Sequence, residues 1–187
     1  MFEISPSSFF QTNTTQAENL YAAALMPLDL KDCDTVLDLF CGTGTIGIIA
    51  AKFVDKVIGI ELNPDSVSDA RKNASLNGES NIEFIAGDMG YVLEDFENTG
   101  RSIELTGKKM VIDPPRSGLT PEMIEYILKL KSTRISYVSC NPTTQARDVK
   151  ELCSHGYKIS RIQPVDMFPQ TYHIENVIEL TYSGASG

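Results

Sequence analysis

The sequence predicts an α/β domain: a doubly wound, mostly parallel sheet of seven strands that ends in an antiparallel C-terminal hairpin. Three observations predict it. Short runs rich in β-branched residues alternate with stretches of helical periodicity, and cap and turn residues mark the junctions. The last two strand-like runs have too little chain between them for a crossover, so they pair antiparallel. At 187 residues with 42% hydrophobic content, the chain fits one domain over 1–187 with a sizeable core.

The elements follow in order. Thr15-x-x-Glu18 reads as a capping box opening a helix with Ala17, Leu20, Tyr21, Ala24 and Leu28 on one face. Strands are expected at 35–40, 56–60, 81–86, 109–113, 134–139, 158–167 and 175–182, the first five each followed by a crossover. Asn63-Pro64-Asp65 gives a helix an N-cap, a proline at its first position and an acid in its first turn; Asn77-Gly78 closes it. Thr120-Pro121-Glu122 opens another, with Ile124, Ile127 and Leu128 facing inward. Asn141-Pro142 precedes a third, with Ala146, Val149, Leu152 and Cys153 as its apolar face.

Bulk properties narrow the function. No apolar run reaches the roughly 20 residues of a membrane span, and Met1-Phe2-Glu3 lacks the basic start of a secretory signal. The expected location is the cytoplasm or another reducing compartment. Cys33, Cys41, Cys140 and Cys153 form no zinc-type spacing, so no metal site is expected. A net charge of −9 and the lack of a dense basic run argue against a stand-alone nucleic-acid grip.

The segment from Leu37 to Gly47 runs from a strand into a glycine turn and a helix. Gly42, Gly44 and Gly47 match G-x-G-x-x-G, and the acid Glu61 follows about 20 residues on, which alone would predict a dinucleotide. The acids redirect that reading. Asp38, Glu61, Asp88 and Asp113 stand at four successive strand ends. They would repel a pyrophosphate and attract a cofactor carrying a sulfonium and an ammonium. S-adenosylmethionine is that cofactor, with Glu61 on its ribose, Asp88 on its adenine amino group and Asp38 on its amine or on the glycine loop.

Two later strands carry candidate chemistry. Asp113-Pro114-Pro115-Arg116 is a rigid extended loop at a strand end; Arg116 stands where amino-directed methyltransferases place an aromatic, and could stack on a base or hold a phosphate. Ser139-Cys140-Asn141-Pro142 puts a thiol at the cleft mouth, before a helix N-terminus whose partial positive charge is expected to lower the thiol pKa.

Four segments in order, Phe9-Phe10-Gln11-Thr12-Asn13, Asp113-Pro114-Pro115-Arg116, Ser139-Cys140-Asn141-Pro142 and His173-Ile174-Glu175-Asn176-Val177, resemble the RNA uracil-5-methyltransferase family, which acts on transfer and ribosomal RNA. The resemblance implies a Rossmann-like class I S-adenosylmethionine-dependent methyltransferase. It implies that Cys140 is the nucleophile adding to uracil C6 and Glu175 the base removing the C5 proton. It implies a cofactor site lined by Gln11, Phe40, Gly42, Thr45, Glu61, Asp88 and Asp113. His155 and His173 carry no catalytic role; His173 is read as a positioning residue. Family members usually carry an N-terminal RNA-binding domain of OB (TRAM) type, so the chain is expected to be a catalytic fragment lacking it, a monomer with an RNA substrate. The alternatives are an RNA cytosine-5 methyltransferase, an exocyclic-amine methyltransferase working through Asp113-Pro114-Pro115, and a cofactor-binding subunit inactive without its RNA-binding domain.

Overall fold

The computed structural model describes residues 13–101 and 105–184. Gln11 and most of the Phe9–Asn13 motif lie outside the described residues. Within them the order is α1 (Thr14–Leu25), β1 (Thr35–Leu39), α2 (Thr45–Ala50), β2 (Lys56–Glu61), α3 (Pro64–Leu76), β3 (Ile82–Ala86) and α4 (Met89–Asn98). There follow β4 (Lys109–Ile112), α5 (Pro121–Leu130), β5 (Arg134–Ser139), α6 (Pro142–Ser154), β6 (Tyr157–Val165) and β7 (Glu175–Tyr182). All seven expected strands form, and they join one sheet in the order β3-β2-β1-β4-β5-β7-β6. Strands β1 to β5 are parallel, while β7 runs antiparallel to both β5 and β6. The terminal hairpin was legible in the sequence; its insertion with β7 beside β5 was not.

Alternation along the central strands splits the core into layers. Leu37, Ile58, Met110 and Tyr137 pack under Phe96, Ile127 and Leu152 of α4, α5 and α6. On the other face Val36, Val57, Val111 and Val138 meet Ala17, Leu20 and Ala24 of α1 and Ile46 of α2. Helix α3 adds a third cluster, with Val67, Ala70 and Ala74 against Phe84. No helix of the described residues is long and apolar enough to cross a membrane.

The caps follow the sequence with one correction. Asn63, Thr120 and Asn141 cap α3, α5 and α6 through side-chain oxygens, each with proline in the first turn. At α1 the cap is Asn13, not Thr15. Its Oδ1 accepts from the Gln16 amide at 3.2 Å, and its Nδ2 donates to the Met167 carbonyl at 3.0 Å. A threonine has no second amide arm for that long-range bond, so the helix starts earlier, at Thr14. The face expected on α6 also needs correction: Ala146 is exposed, and Gln145 and Asp148 are buried with Val149 and Leu152. The first turns of α6 lie over strand and loop backbone that needs hydrogen-bond partners, so polar side chains occupy the inner face.

Candidate active site

Parallel strands deliver their C-terminal ends to one edge of the sheet. Because β7 runs the other way, its first residue, Glu175, arrives at that same edge. A cleft of about 570 Å³ opens there, within the usual range for small-molecule sites. Phe40, Gly42, Thr45, Glu61 and Asp113 line it, and so do Cys140 and Glu175.

The glycine loop is built on its acids. Asp38, 1% exposed at the end of β1, accepts from the Gly47 amide through Oδ2 at 2.9 Å. Glu61 accepts from the Gly42 amide at 3.1 Å through Oε2 and from the Asn63 amide at 2.8 Å through Oε1. Gly44 sits at φ +79°, and a Cβ there would fall 2.5 Å from the Phe84 ring, so only glycine fits the turn. Phe40 is held at φ +62°, strained for a bulky residue. Its amide and that of Cys41 both donate to the Ile60 carbonyl, at 2.9 and 3.2 Å, which turns the chain off β1 into the loop.

Between β5 and β7 the register ends at Ser139 opposite Asn176; Cys140 follows the one, Glu175 precedes the other, and both line the cleft. A fully buried carboxamide fixes that juncture. Gln145 Nε2 donates to the carbonyls of Tyr137 (2.8 Å) and Asn176 (3.0 Å), while its Oε1 accepts from Asn176 Nδ2 at 2.7 Å. One side chain thus ties α6 to both strands that carry the thiol and the carboxylate. Gln145→Leu would leave these buried groups unpaired, at about 2–3 kcal/mol. The melting temperature should fall by roughly 5–10 °C; a loss under about one degree in a thermal melt would show that the clamp bears no load.

Asp148, 0% exposed, secures the Asp113–Arg116 loop in a similar way. Its Oδ2 accepts from the Leu119 amide (2.8 Å) and the Tyr137 hydroxyl (2.7 Å). The Arg116 carbonyl accepts from Asn141 Nδ2 and Thr144 Oγ1, each at 3.2 Å. The loop is therefore bolted to the start of α6, with the Arg116 side chain left exposed at the cleft.

The electrostatics follow from carboxylates crowded in a walled cleft. Burial pushes Asp38 up to about 7, against the pull of the Gly47 amide. Burial and the charges of Glu175 and Asp38 raise Asp113 to about 8. Burial raises Glu175 above the usual carboxylate range, the direction expected for a base in a dry pocket. Cys140 departs from expectation: its thiol is raised, not lowered. Burial comes first, then the charges of Glu175 and Asp113, and together they outweigh Arg116 and the local backbone.

Of the residues singled out in the sequence, Asp88 stands apart. It caps α4, its Oδ1 accepting from the Gly90 amide at 2.8 Å, and lines an adjoining hollow with Met89 and Tyr91. Tyr21 went unread: its helical spacing matched core positions, yet it lines the cleft opposite Asp113. Gln145 also went unread, because a polar residue gives no signal in an apolar periodicity.

Comparison with known proteins agrees with this geometry. Residues 1–182 match the family model described as tRNA (uracil-5-)-methyltransferase. An uncharacterized RNA methyltransferase of Protochlamydia amoebophila is 49% identical over 180 residues, covering 96% of this chain and 40% of that protein. One of Chlorobaculum tepidum is 48% identical, covering 94% of this chain and 36% of that protein. The chain thus spans about two-fifths of the length of these relatives. Among solved structures, the Pyrococcus abyssi tRNA (uracil-54, C5)-methyltransferase in complex with S-adenosyl-L-homocysteine superposes with TM-score 0.76 at 37% identity, over 96% of this chain and 42% of that one. A precorrin-6y C5,15-methyltransferase of Geobacter metallireducens, 18% identical with TM-score 0.73 over 96% of this chain and 93% of that one, shares the fold. This chain belongs to the tRNA (uracil-5-)-methyltransferase family.

Proposed function

We propose that this chain carries the catalytic machinery of an S-adenosylmethionine-dependent methyltransferase acting on C5 of uridine in RNA. The observation that carries the reading is that Cys140 and Glu175, each one residue beyond the last β5–β7 pair, line the same carboxylate-walled cleft, with the Glu175 charge bearing on the thiol. The donor set fits the cofactor: Glu61 suits ribose hydroxyls, and Asp38 and Asp113 suit cationic groups. Gln11, outside the described residues, and Asp88, beside the cleft, are proposed as further contacts. When bound, S-adenosylmethionine supplies an electrophilic methyl group.

Uracil C5 is a weak nucleophile, so Cys140 gives its thiol proton to water and the resulting thiolate adds to C6, shifting the C5–C6 electron pair into an enolate rich at C5. C5 then takes the methyl group. The adduct retains its C5 proton; Glu175 removes it, the C5–C6 double bond reforms, and the C6–S bond breaks to release Cys140. A carboxyl raised by burial is a stronger base once ionised, which suits this step. Arg116, exposed at the rim, is placed for an RNA phosphate or a base face.

The test is the identity of the product. Methylated RNA digested to nucleosides should yield 5-methyluridine; 5-methylcytidine or an N-methylated base as product would defeat the reading.

Cofactor affinity should depend on pH. Asp38 and Asp113, raised to about 7 and about 8, hold protons in the free cleft that a cationic ligand expels. Affinity for S-adenosylmethionine should therefore rise through this window, with on the order of one proton released near neutrality. Calorimetry in buffers of different ionisation heat reads that release; an affinity flat across the window would contradict it. The same raised carboxyls stabilise the ligand-free fold fully below the ordinary carboxylate range, and that contribution is lost as pH rises through about 7 to 8.

A further inference from the structure

The cleft poses a charge problem that the residues above leave open. Resting on the proposed cofactor, the acid on β2 holds the ribose, so the adenosine lies over β2 and the amino-acid end extends across β1 toward β4, following the strand order β2-β1-β4. That end is a zwitterion. Its ammonium finds Asp38 and Asp113, but its carboxylate meets those same acids and Glu175, all of which repel it. Among the described residues that line the cleft Arg116 is the cation, and it sits at the rim, where it acts on the Cys140 thiol.

Two neutral hydroxyls, those of Tyr21 and Thr45, line the same cleft. Tyr21 reaches the cleft from α1, and Thr45, the first residue of α2, lines it close enough to bear on the Tyr21 hydroxyl. Thr43 Oγ1 stands 3.5 Å from Thr45 Oγ1, which extends the hydroxyl cluster along the loop. A hydroxyl can donate to an anion without carrying a net charge, so it receives the carboxylate where an arginine beside Asp113 would pair with the acid instead. Tyr21 projects half-buried from a packed helix, with Leu20 and Ala24 buried beside it.

We infer that Tyr21, with Thr45, is the hydrogen-bond donor that positions the carboxylate of the cofactor's methionine moiety, and so separates S-adenosylmethionine from adenosyl ligands lacking that group.

The test pairs one variant with two ligands. Calorimetry compares this chain and Tyr21→Phe for S-adenosylmethionine and for decarboxylated S-adenosylmethionine, which keeps the sulfonium and the amine. Loss of one hydrogen bond to a charged group should weaken S-adenosylmethionine by about tenfold or more and leave the decarboxylated ligand within about twofold. That unchanged affinity also reports an intact fold. Equal weakening of both ligands would make Tyr21 a packing residue and overturn the inference; so would unchanged affinity for S-adenosylmethionine. Wild-type chain that binds neither ligand would instead remove the cofactor reading itself, and the inference with it. Thr45→Val should repeat the pattern of Tyr21→Phe.

Discussion

Cys140→Ala is expected to reduce methylation of RNA uridine by at least about 10⁴-fold, while affinity for S-adenosylmethionine stays within about twofold. The size of the loss follows from the substrate. Without a sulfur adding at C6, C5 has no electron pair to offer, and no other group at this position can supply one. Cofactor binding should survive because its proposed contacts, Asp38, Glu61 and Asp113, stand on β1, on β2 and just past β4, whereas Cys140 follows β5. Cys140→Ser restores shape but not nucleophilicity and should be nearly as inactive. A Cys140→Ala chain with more than about a tenth of wild-type turnover would mean that the reaction does not pass through this thiol.

Glu175→Gln should act at the other end of the cycle. Turnover should fall about 10²–10⁴-fold, the usual contribution of a positioned base. Addition and methyl transfer need no base on Glu175, so the methylated adduct should form and then persist. A denaturing gel would show protein and RNA migrating together in this variant and separately in wild type. The substitution keeps shape, and in the ligand-free cleft it replaces a carboxyl that burial already pushes toward its neutral form. The melting temperature should therefore shift little. It also removes one of the charges that raise the Cys140 thiol, so adduct formation should be at least as fast as in wild type. Fast turnover without an adduct would assign proton removal to another group, with Asp113 the next candidate on the cleft wall.

What the sequence revealed and withheld divides by the range of the interactions. Caps and strands are local: Asn63-Pro64 and Asn141-Pro142 announce helix starts, and all seven strands could be read from residue type and spacing. The glycine loop was legible because its geometry demands residues without side chains, as at Gly44. Glu175 drew notice only through a resemblance, since a glutamate at a strand start carries no periodic signal. Its place on the cleft wall with Cys140 depends on β7 slotting between β5 and β6, a pairing that no local pattern encodes.

The misread residues share a cause. Tyr21 fits an apolar stripe by spacing, and only the fold shows that it lines the cleft with Thr45. Gln145 and Asp148 were passed over in favour of Ala146 because periodicity scores apolarity, while the ground beneath α6 is backbone polar groups needing partners. The Cys140 thiol was expected to be lowered by the helix behind it. That argument weighed one favourable dipole and omitted first the burial of the thiol and then two carboxylates that the sheet brings close. Electrostatics within an element can be judged from sequence; electrostatics across a sheet edge cannot.

One measurement bears most directly on the account. RNA carrying 5-fluorouridine at the target position offers C5 a fluorine in place of the proton that Glu175 removes, so release of the enzyme is blocked after methyl transfer. Wild-type chain, this RNA and S-adenosylmethionine should form a denaturant-stable complex. Digestion and mass spectrometry should place a methylated fluorouridine on the peptide containing Cys140, and Cys140→Ala should give none. Methylation of ordinary uridine at C5 without any such complex, or a complex mapping to Cys33, Cys41 or Cys153, would contradict the account.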